Sequence, residues 1–291
     1  VNRPRILFLI PYFGAWPFWM PFFLQSCRAN PDIDWLLFSD CRVPEALPTN
    51  VRVRTISYRD YCAHAAERMG IAFAPANPYK LCDIKPALGH IHEADLQGYD
   101  FWAFGDLDLV YGDLRAWLSD ARLQRYDVLT THARRVAGHL CVLRNTPRYR
   151  QLFMRMKQWQ QRLSDQQHHA MDEGAFSRLF MWRKNFPKPL FKLVGLFNPL
   201  RRASLFMEAY TTPNGCIQWR DGTEQFPRRW YWRHGKISND RDDLLYPYFH
   251  FACWKRNEWR QQVPQGGPAL SVIAASGHWA IDAEGFHPGE P

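Results

Sequence analysis

The sequence predicts an α/β protein whose mixed, mostly parallel sheet is flanked by helices, in a single domain with a smaller subregion. Short apolar runs of strand length recur without polar alternation, as strands buried on both faces do. Helical stretches alternate with them, which is the order of a doubly wound sheet. With 291 residues and 46% hydrophobic content, the chain can bury a substantial core.

RILFLI, Arg5 to Ile10, is the first such run, and it stops at PYFGAW, where Pro11 and Gly14 open a loop. Nucleotide-binding α/β domains usually begin with a strand and loop of this kind. A helix over Pro17 to Ala29 follows, then strands at Trp35 to Phe38 and Val51 to Ile56, and a helix over Tyr58 to Met69. Asn77 to Ile91 has a helical pattern, and Pro86 divides it into two short helices. Within it, Lys80 and Asp83 share a helix face, where they can pair.

The stretch FWAFGDLDLVYGDL, Phe101 to Leu114, joins a buried-strand pattern to three acidic residues. Asp106 and Asp108 lie two apart and project to one side in extended geometry. At the end of a strand in an open α/β sheet they point into the crevice that binds ligands. One or two carboxylates there suit a hard divalent cation that also holds phosphate oxygens. An Asp beside a Gly also bends or caps a chain, and Asp113 is assigned to the cap of the next helix.

Further strands are read at Asp127 to Thr131 and His139 to Arg144, and a basic helix over Pro147 to Leu163. Asp172 and Glu173 open an apolar helical stretch that ends at Phe180. Trp182 to Arg202 alternates basic and large apolar residues without one acid, and three prolines forbid a continuous helix. Peripheral membrane contact is expected through residues 182–202. Irregular strands and turns rich in Trp and Arg occupy Ile217 to Gly235, and residues 261–291 read as a Pro/Gly-rich, loosely ordered tail.

A net charge of +9 favours anionic partners, and 15% aromatic content with 13 Trp suits sugar or base faces. The seven cysteines are dispersed without CxxC pairing, which indicates neither a zinc site nor a disulfide framework and reads as reduced thiols. No apolar run reaches the ~20 residues of a membrane span. No signal peptide or anchor is read, and a cytoplasmic location, at the inner face of the membrane, is expected.

From Arg5 to Arg256 these pieces resemble the GT-A superfamily of nucleotide-sugar glycosyltransferases. In that superfamily a Rossmann-like N-terminal half binds the nucleotide, and a DxD at a strand end binds metal and diphosphate. Asp106 and Asp108 match the DxD, Gly138 and His139 a glycine turn before an acceptor-side strand, and Asp172 and Glu173 an acidic pair opening a helix. His250 matches a C-terminal histidine that completes the metal shell, with Lys255 near the diphosphate. The set is also similar to bacterial enzymes that build capsule or lipopolysaccharide glycans.

The resemblance implies a catalytic unit over residues 1–260, with a nucleotide-binding half to residue 114 and an acceptor-side half from 115. It implies Mn²⁺ or Mg²⁺, with Asp108 and His250 as ligands and Asp106 binding metal through water or contacting the ribose. Phe13 and Gly14 would line the nucleoside pocket, and Lys80, Asp83 and Lys85 would reach the donor. Asp172 or Glu173 would face the acceptor hydroxyl. The resemblance also implies a UDP- or GDP-linked sugar as donor and a glycan or lipid-linked acceptor.

The alternatives fit the residues less well. A nucleotidyltransferase would show a Gly- and Lys/Arg-rich phosphate loop after the first strand, and PYFGAW has no basic residue. In a noncatalytic nucleic-acid or anionic-ligand binder, basic residues would cluster on a recognisable motif, and here they are dispersed.

Overall fold

The computed structural model describes residues 3–182, 187–212, 217–254 and 269–289. Its main sheet has seven strands: β1 (Ile6–Pro11), β2 (Ile33–Ser39), β3 (Val51–Thr55), β4 (Phe101–Gly105), β6 (Val128–Thr130), β7 (Leu140–Arg144) and β8 (Ser204–Phe206). They lie in the order β3-β2-β1-β4-β7-β6-β8. Only β7 runs against its neighbours, β4 and β6, and the other pairs are parallel. The mixed, mostly parallel sheet expected from the sequence is therefore present.

Both faces of this sheet are buried along β1, β2, β4 and β7, which is why those strands read as largely apolar runs, whereas the edge strand β3, VRVRT, is mostly exposed. Leu7 and Leu9 of β1 enter a core with helix α2 (Tyr58–Met69), and Ile6, Phe8 and Ile10 enter the opposite one with α1 (Met20–Arg28). In β4, Trp102 and Phe104 take the α2 side, and Phe101 and Ala103 the α1 side. Ser57 caps α2 by accepting the Asp60 N–H at 3.1 Å.

A second, antiparallel sheet pairs β10 (Lys236–Asn239), β9 (Arg229–Arg233), β12 (His278–Asp282) and β13 (Gly285–Pro288) in that order. Trp230, Trp232, Trp279 and Ile281 turn to one face and pack with Phe22 of α1, while Arg229, Tyr231 and Arg233 turn outward. The 261–291 tail is corrected here: residues 269–289 form the helix Leu270–Ala275 and two paired strands. Prolines and glycines in that region punctuate strands whose alternate residues are buried.

Other differences are local. The helix expected over Pro147 to Leu163 is three short pieces, Pro147–Arg150, Leu152–Arg155 and Trp159–Ser164, with Gln158 in the left-handed region (φ 56°). Pro78–Ala87 is a 3₁₀ run containing Pro86, and it leads into one α turn, Leu88–Ile91. Asp172 and Glu173 sit in a π turn, Met171–Ala175, rather than at an α-helix start. Asp113 does cap the turn after it, accepting the Ala116 N–H at 3.0 Å. Among the described residues Cys27, Cys41, Cys62, Cys82 and Cys141 form no disulfide, and no helix is long and apolar enough to cross a membrane.

A two-stranded ribbon joins the units: β5 (Leu109–Tyr111) pairs with β11 (Tyr248–His250). It holds Gly112 directly beneath the Tyr246 carbonyl and within 3.3 Å of the Ile237 nitrogen, measured from where a Cβ would stand. Gly112→Ala would drive that Cβ into backbone, and a loss of about 1–3 kcal/mol is expected in urea unfolding.

Candidate functional site

Asp106 and Asp108 leave the end of β4, where the chain turns before β5. The ribbon register, Leu109 opposite His250, then brings a histidine from far along the chain beside them. Ligand atoms of Asp106, Asp108 and His250 all lie within 4.8 Å of one another. His250 Nε2 is 3.5 Å from Asp108 Oδ2, and its Nδ1 lies 3.1 Å from the Thr212 hydroxyl. The latter contact sets the ring and leaves Nε2 to face the carboxylates, the orientation a ligating imidazole needs. Two carboxylates and an imidazole suit Mn²⁺ or Mg²⁺, so these residues can hold a divalent cation.

Behind the cluster, Lys85 is buried with its ammonium 2.5 Å from Asp106 Oδ1, 3.0 Å from the Gly138 carbonyl and 3.7 Å from Asp172 Oδ2. Burial opposes its charge, yet Asp106, Cys82 and Asp172 outweigh that and raise its pKa well above the usual lysine range. Asp172 is buried, and chiefly for that reason its carboxyl is pushed up to about 6; Lys85 pulls the other way, and Glu173 and Asp106 add to the rise. Glu173 is partly exposed and engaged by Arg135 at 3.0 Å and by the Gly138 N–H at 3.3 Å.

His139 completes the wall. Its ring stacks on His250 with centroids 4.2 Å apart, and its Nε2 lies 2.7 Å from the Tyr248 hydroxyl. Because that hydroxyl donates to Thr131 Oγ1 at 2.6 Å, Nε2 of His139 is the donor of the other bond. Burial and the adjacent His250 drive the His139 pKa well below the usual value, so the ring is neutral.

Residues 8–274 match a protein family described as a family of unknown function, DUF6625. The chain belongs to this family. Compared with curated proteins, it finds no match. Among solved structures, this DUF6625 protein is similar to an active-site mutant of LgtC, at 10% identity and a TM-score of 0.43 over 94% of this chain and 95% of that one. A second is the galactosyltransferase LgtC in complex with donor and acceptor sugar analogs, at 11% identity, a TM-score of 0.43 and the same coverage. A third is mouse xyloside xylosyltransferase 1 in its apo form, at 12% identity and a TM-score of 0.39, over 86% of this chain and 98% of that one.

The other residues singled out in the sequence are placed differently in the DUF6625 chain. Lys80 and Asp83 are a buried pair at 3.2 Å, and Lys80 also contacts Asp165 at 3.0 Å and the Arg162 and Gln167 carbonyls. Both are enclosed, at 1% and 0% exposure. Asp83 instead accepts the N–H groups of His169 and Met171, both at 2.9 Å, and so pins the turn that carries Asp172. Asp83→Ala should cost about 3–5 kcal/mol in chemical unfolding, the usual result of breaking a buried pair.

Phe13 is likewise buried, against the rings of Tyr58 and Tyr61 at 5.3 and 5.2 Å. Gly14 is exposed and donates its N–H to Asp40 Oδ1 at 2.9 Å. Lys255 lies outside the described residues. Sequence reasoning missed Tyr12 and Trp16, which stack at 5.5 Å beyond β1; Tyr12 is close enough for Asp108 to help raise its pKa, after burial and Cys41. It also missed Arg135, which nothing in its local pattern marks, and Tyr79, an exposed ring against His168 at 4.7 Å.

Proposed function

We propose that the protein is a metal-dependent glycosyltransferase, moving a sugar from a UDP- or GDP-linked donor to a glycan or lipid-linked acceptor. The observation that carries this reading is one site in which a two-carboxylate, one-imidazole cluster shares Lys85 with a buried carboxyl of raised pKa. A divalent cation held by Asp108, His250 and, directly or through water, Asp106 would offset the charge that grows on the departing diphosphate. The roles belong to capsule or lipopolysaccharide glycan assembly on the cytoplasmic side of the membrane.

The chain's own groups divide the remaining work. Lys85 holds Asp106 in place and sets a positive charge beside Asp172. Asp172 is the better acceptor-side group of the acidic pair, since Glu173 is committed to Arg135 and to the Gly138 N–H. In an inverting reaction the Asp172 carboxylate takes the hydroxyl proton, and in a retaining one it orients the sugar. The anomer of the product separates these two courses. Tyr12 and Trp16 offer an aromatic face for the base, and Lys255 a compact cation for the diphosphate.

A thermal-shift series with UDP and GDP, each with and without Mn²⁺, tests the reading. A native-state ligand at a hundredfold excess over its Kd adds about 2.7 kcal/mol, so a metal-dependent rise in Tm is expected. No response to any nucleotide, with or without metal, would refute it.

The raised pKa of Asp172 also predicts a pH effect. The folded protein binds this proton more tightly than the unfolded chain, whose Asp titrates near 3.8. Its stabilising contribution is therefore full below that value and is lost as pH rises through about 6. Asp172→Asn should remove that slope and leave the metal-free protein about 2–3 kcal/mol more stable at pH 8 than the parent, as read by urea titrations. A slope unchanged by the substitution would remove Asp172 as its source.

A further inference from the structure

The helix Lys188–Leu196 presents an apolar face that is exposed among the described residues. Leu190, Leu193 and Phe197, spaced i, i+3 and i+7, share one side and are 44%, 51% and 74% exposed. Leu196, at 63%, widens the stripe, and Trp182, at 43%, is exposed just before the segment. A helix bathed in water on that side would carry polar residues there.

Charge identifies what covers it. From Gly174 to Met207 the sequence contains no acidic residue, while Lys188 and Lys192 lie within the helix and Arg201 and Arg202 follow it. Arg178 and Arg202 are exposed on either side. Exposed leucines and a phenylalanine among cations and no anions match the boundary of an anionic bilayer, which takes apolar side chains below the headgroups and attracts cations at their level. A glycan would offer no apolar phase for the leucines. A second copy of this chain would set the same cations against each other.

The helix is fixed to the body. The Asn198 amide donates to the carbonyls of Leu179 and Phe180 at 2.9 and 3.1 Å, while its carbonyl oxygen caps the next turn through the Leu200 N–H at 3.0 Å. Leu179 and Phe180 belong to the short helix Ser177–Phe180, which follows the Asp172 turn directly.

We propose that this face seats the protein on an anionic lipid bilayer, with Leu190, Leu193, Leu196 and Phe197 inserted below the headgroups. If the glycosyltransferase reading holds, on which only this clause rests, the acidic turn then faces an acceptor carried in that bilayer. Membrane binding itself is independent of donor chemistry.

The test is co-sedimentation of the whole protein with sucrose-loaded vesicles of phosphatidylcholine alone, or of equal parts phosphatidylcholine and phosphatidylglycerol. Sedimentation with the anionic vesicles, weakened by salt, is expected. In Leu193→Glu/Phe197→Glu the partition coefficient should fall at least about tenfold, because two inserted side chains become charged. Both positions are exposed, so the variant should keep the parent's Tm and its nucleotide response. Equal partition of parent and variant, or a parent that stays in the supernatant with both vesicles, would overturn the proposal. So would a lipid-free dimer in analytical ultracentrifugation that the variant dissolves. A nucleotide response with no vesicle binding would defeat this proposal alone, and vesicle binding with no nucleotide response would defeat only the enzyme reading.

Discussion

Asp108→Ala is expected to abolish the Mn²⁺-dependent part of any nucleoside-diphosphate response and to lower sugar transfer by at least about a hundredfold. Loss of an outer-shell partner alone commonly costs 10- to 100-fold, and Asp108 stands in the inner cluster. The reason lies in its position. Asp108 is buried, its carboxylate is 3.5 Å from His250 Nε2, and its carbonyl accepts the Phe251 N–H at 3.3 Å. The backbone bond survives the substitution, so the β5–β11 ribbon should persist and the Tm of the metal-free protein should stay within a few degrees of the parent. Asp106→Ala should be milder toward the metal, because a third of that side chain is exposed and one oxygen is already given to Lys85. Isothermal titration with Mn²⁺ ranks the two. Equal Mn²⁺ affinity in Asp108→Ala and the parent would remove Asp108 from the site.

Much of the fold could be read from the chain because its strands state their burial locally. RILFLI and FWAF are apolar on both faces, and both faces are covered. The DxD was legible for a similar reason, since polarity changes abruptly where β4 leaves the sheet. His250 could be placed by resemblance and order, but what delivers it is the pairing of β5 with β11, a long-range register that no local pattern announces. Lys80 and Asp83 show the opposite failure. Their spacing points to a pair on one helix face and the resemblance to a reach toward the donor, whereas tertiary packing encloses both and turns them into a clamp on residues 169–171. Of the small sheet only irregular strands over Ile217 to Gly235 are legible, because its strands are short, split by turns and paired across a long stretch of chain, although HWAID and RWYWR alternate buried and outward residues once the register is known.

Gly138→Ala should be the most damaging conservative substitution in the site. Lys85 donates to the Gly138 carbonyl, the Gly138 N–H donates to Glu173, and a Cβ would overlap Asp172 Oδ2 while standing 3.0 Å from Glu173 Cγ and 3.2 Å from Asp172 Cγ. The nearest obstacle is the end of a side chain rather than backbone, so the structure has a way to yield. The Asp172 carboxylate would swing away, losing its place beside Lys85, at a cost in stability of about 1–3 kcal/mol typical of a forced extra methyl. Activity should suffer more. Displacing a reacting group by about 1 Å can cost two orders of magnitude, so a loss of about a hundredfold in kcat is expected. Mn²⁺ affinity should change little, because His250 lies on β11 and Asp108 directly before β5, apart from the Gly138 turn. Under the proposed function Gly138→Ala is therefore the counterpart of Asp108→Ala, and the two variants would divide the site into an acceptor-side half and a metal half. If Gly138→Ala lost metal binding as completely as Asp108→Ala, the two halves would be one coupled unit joined through Lys85, and Asp172 would belong to the metal's surroundings rather than to the acceptor's.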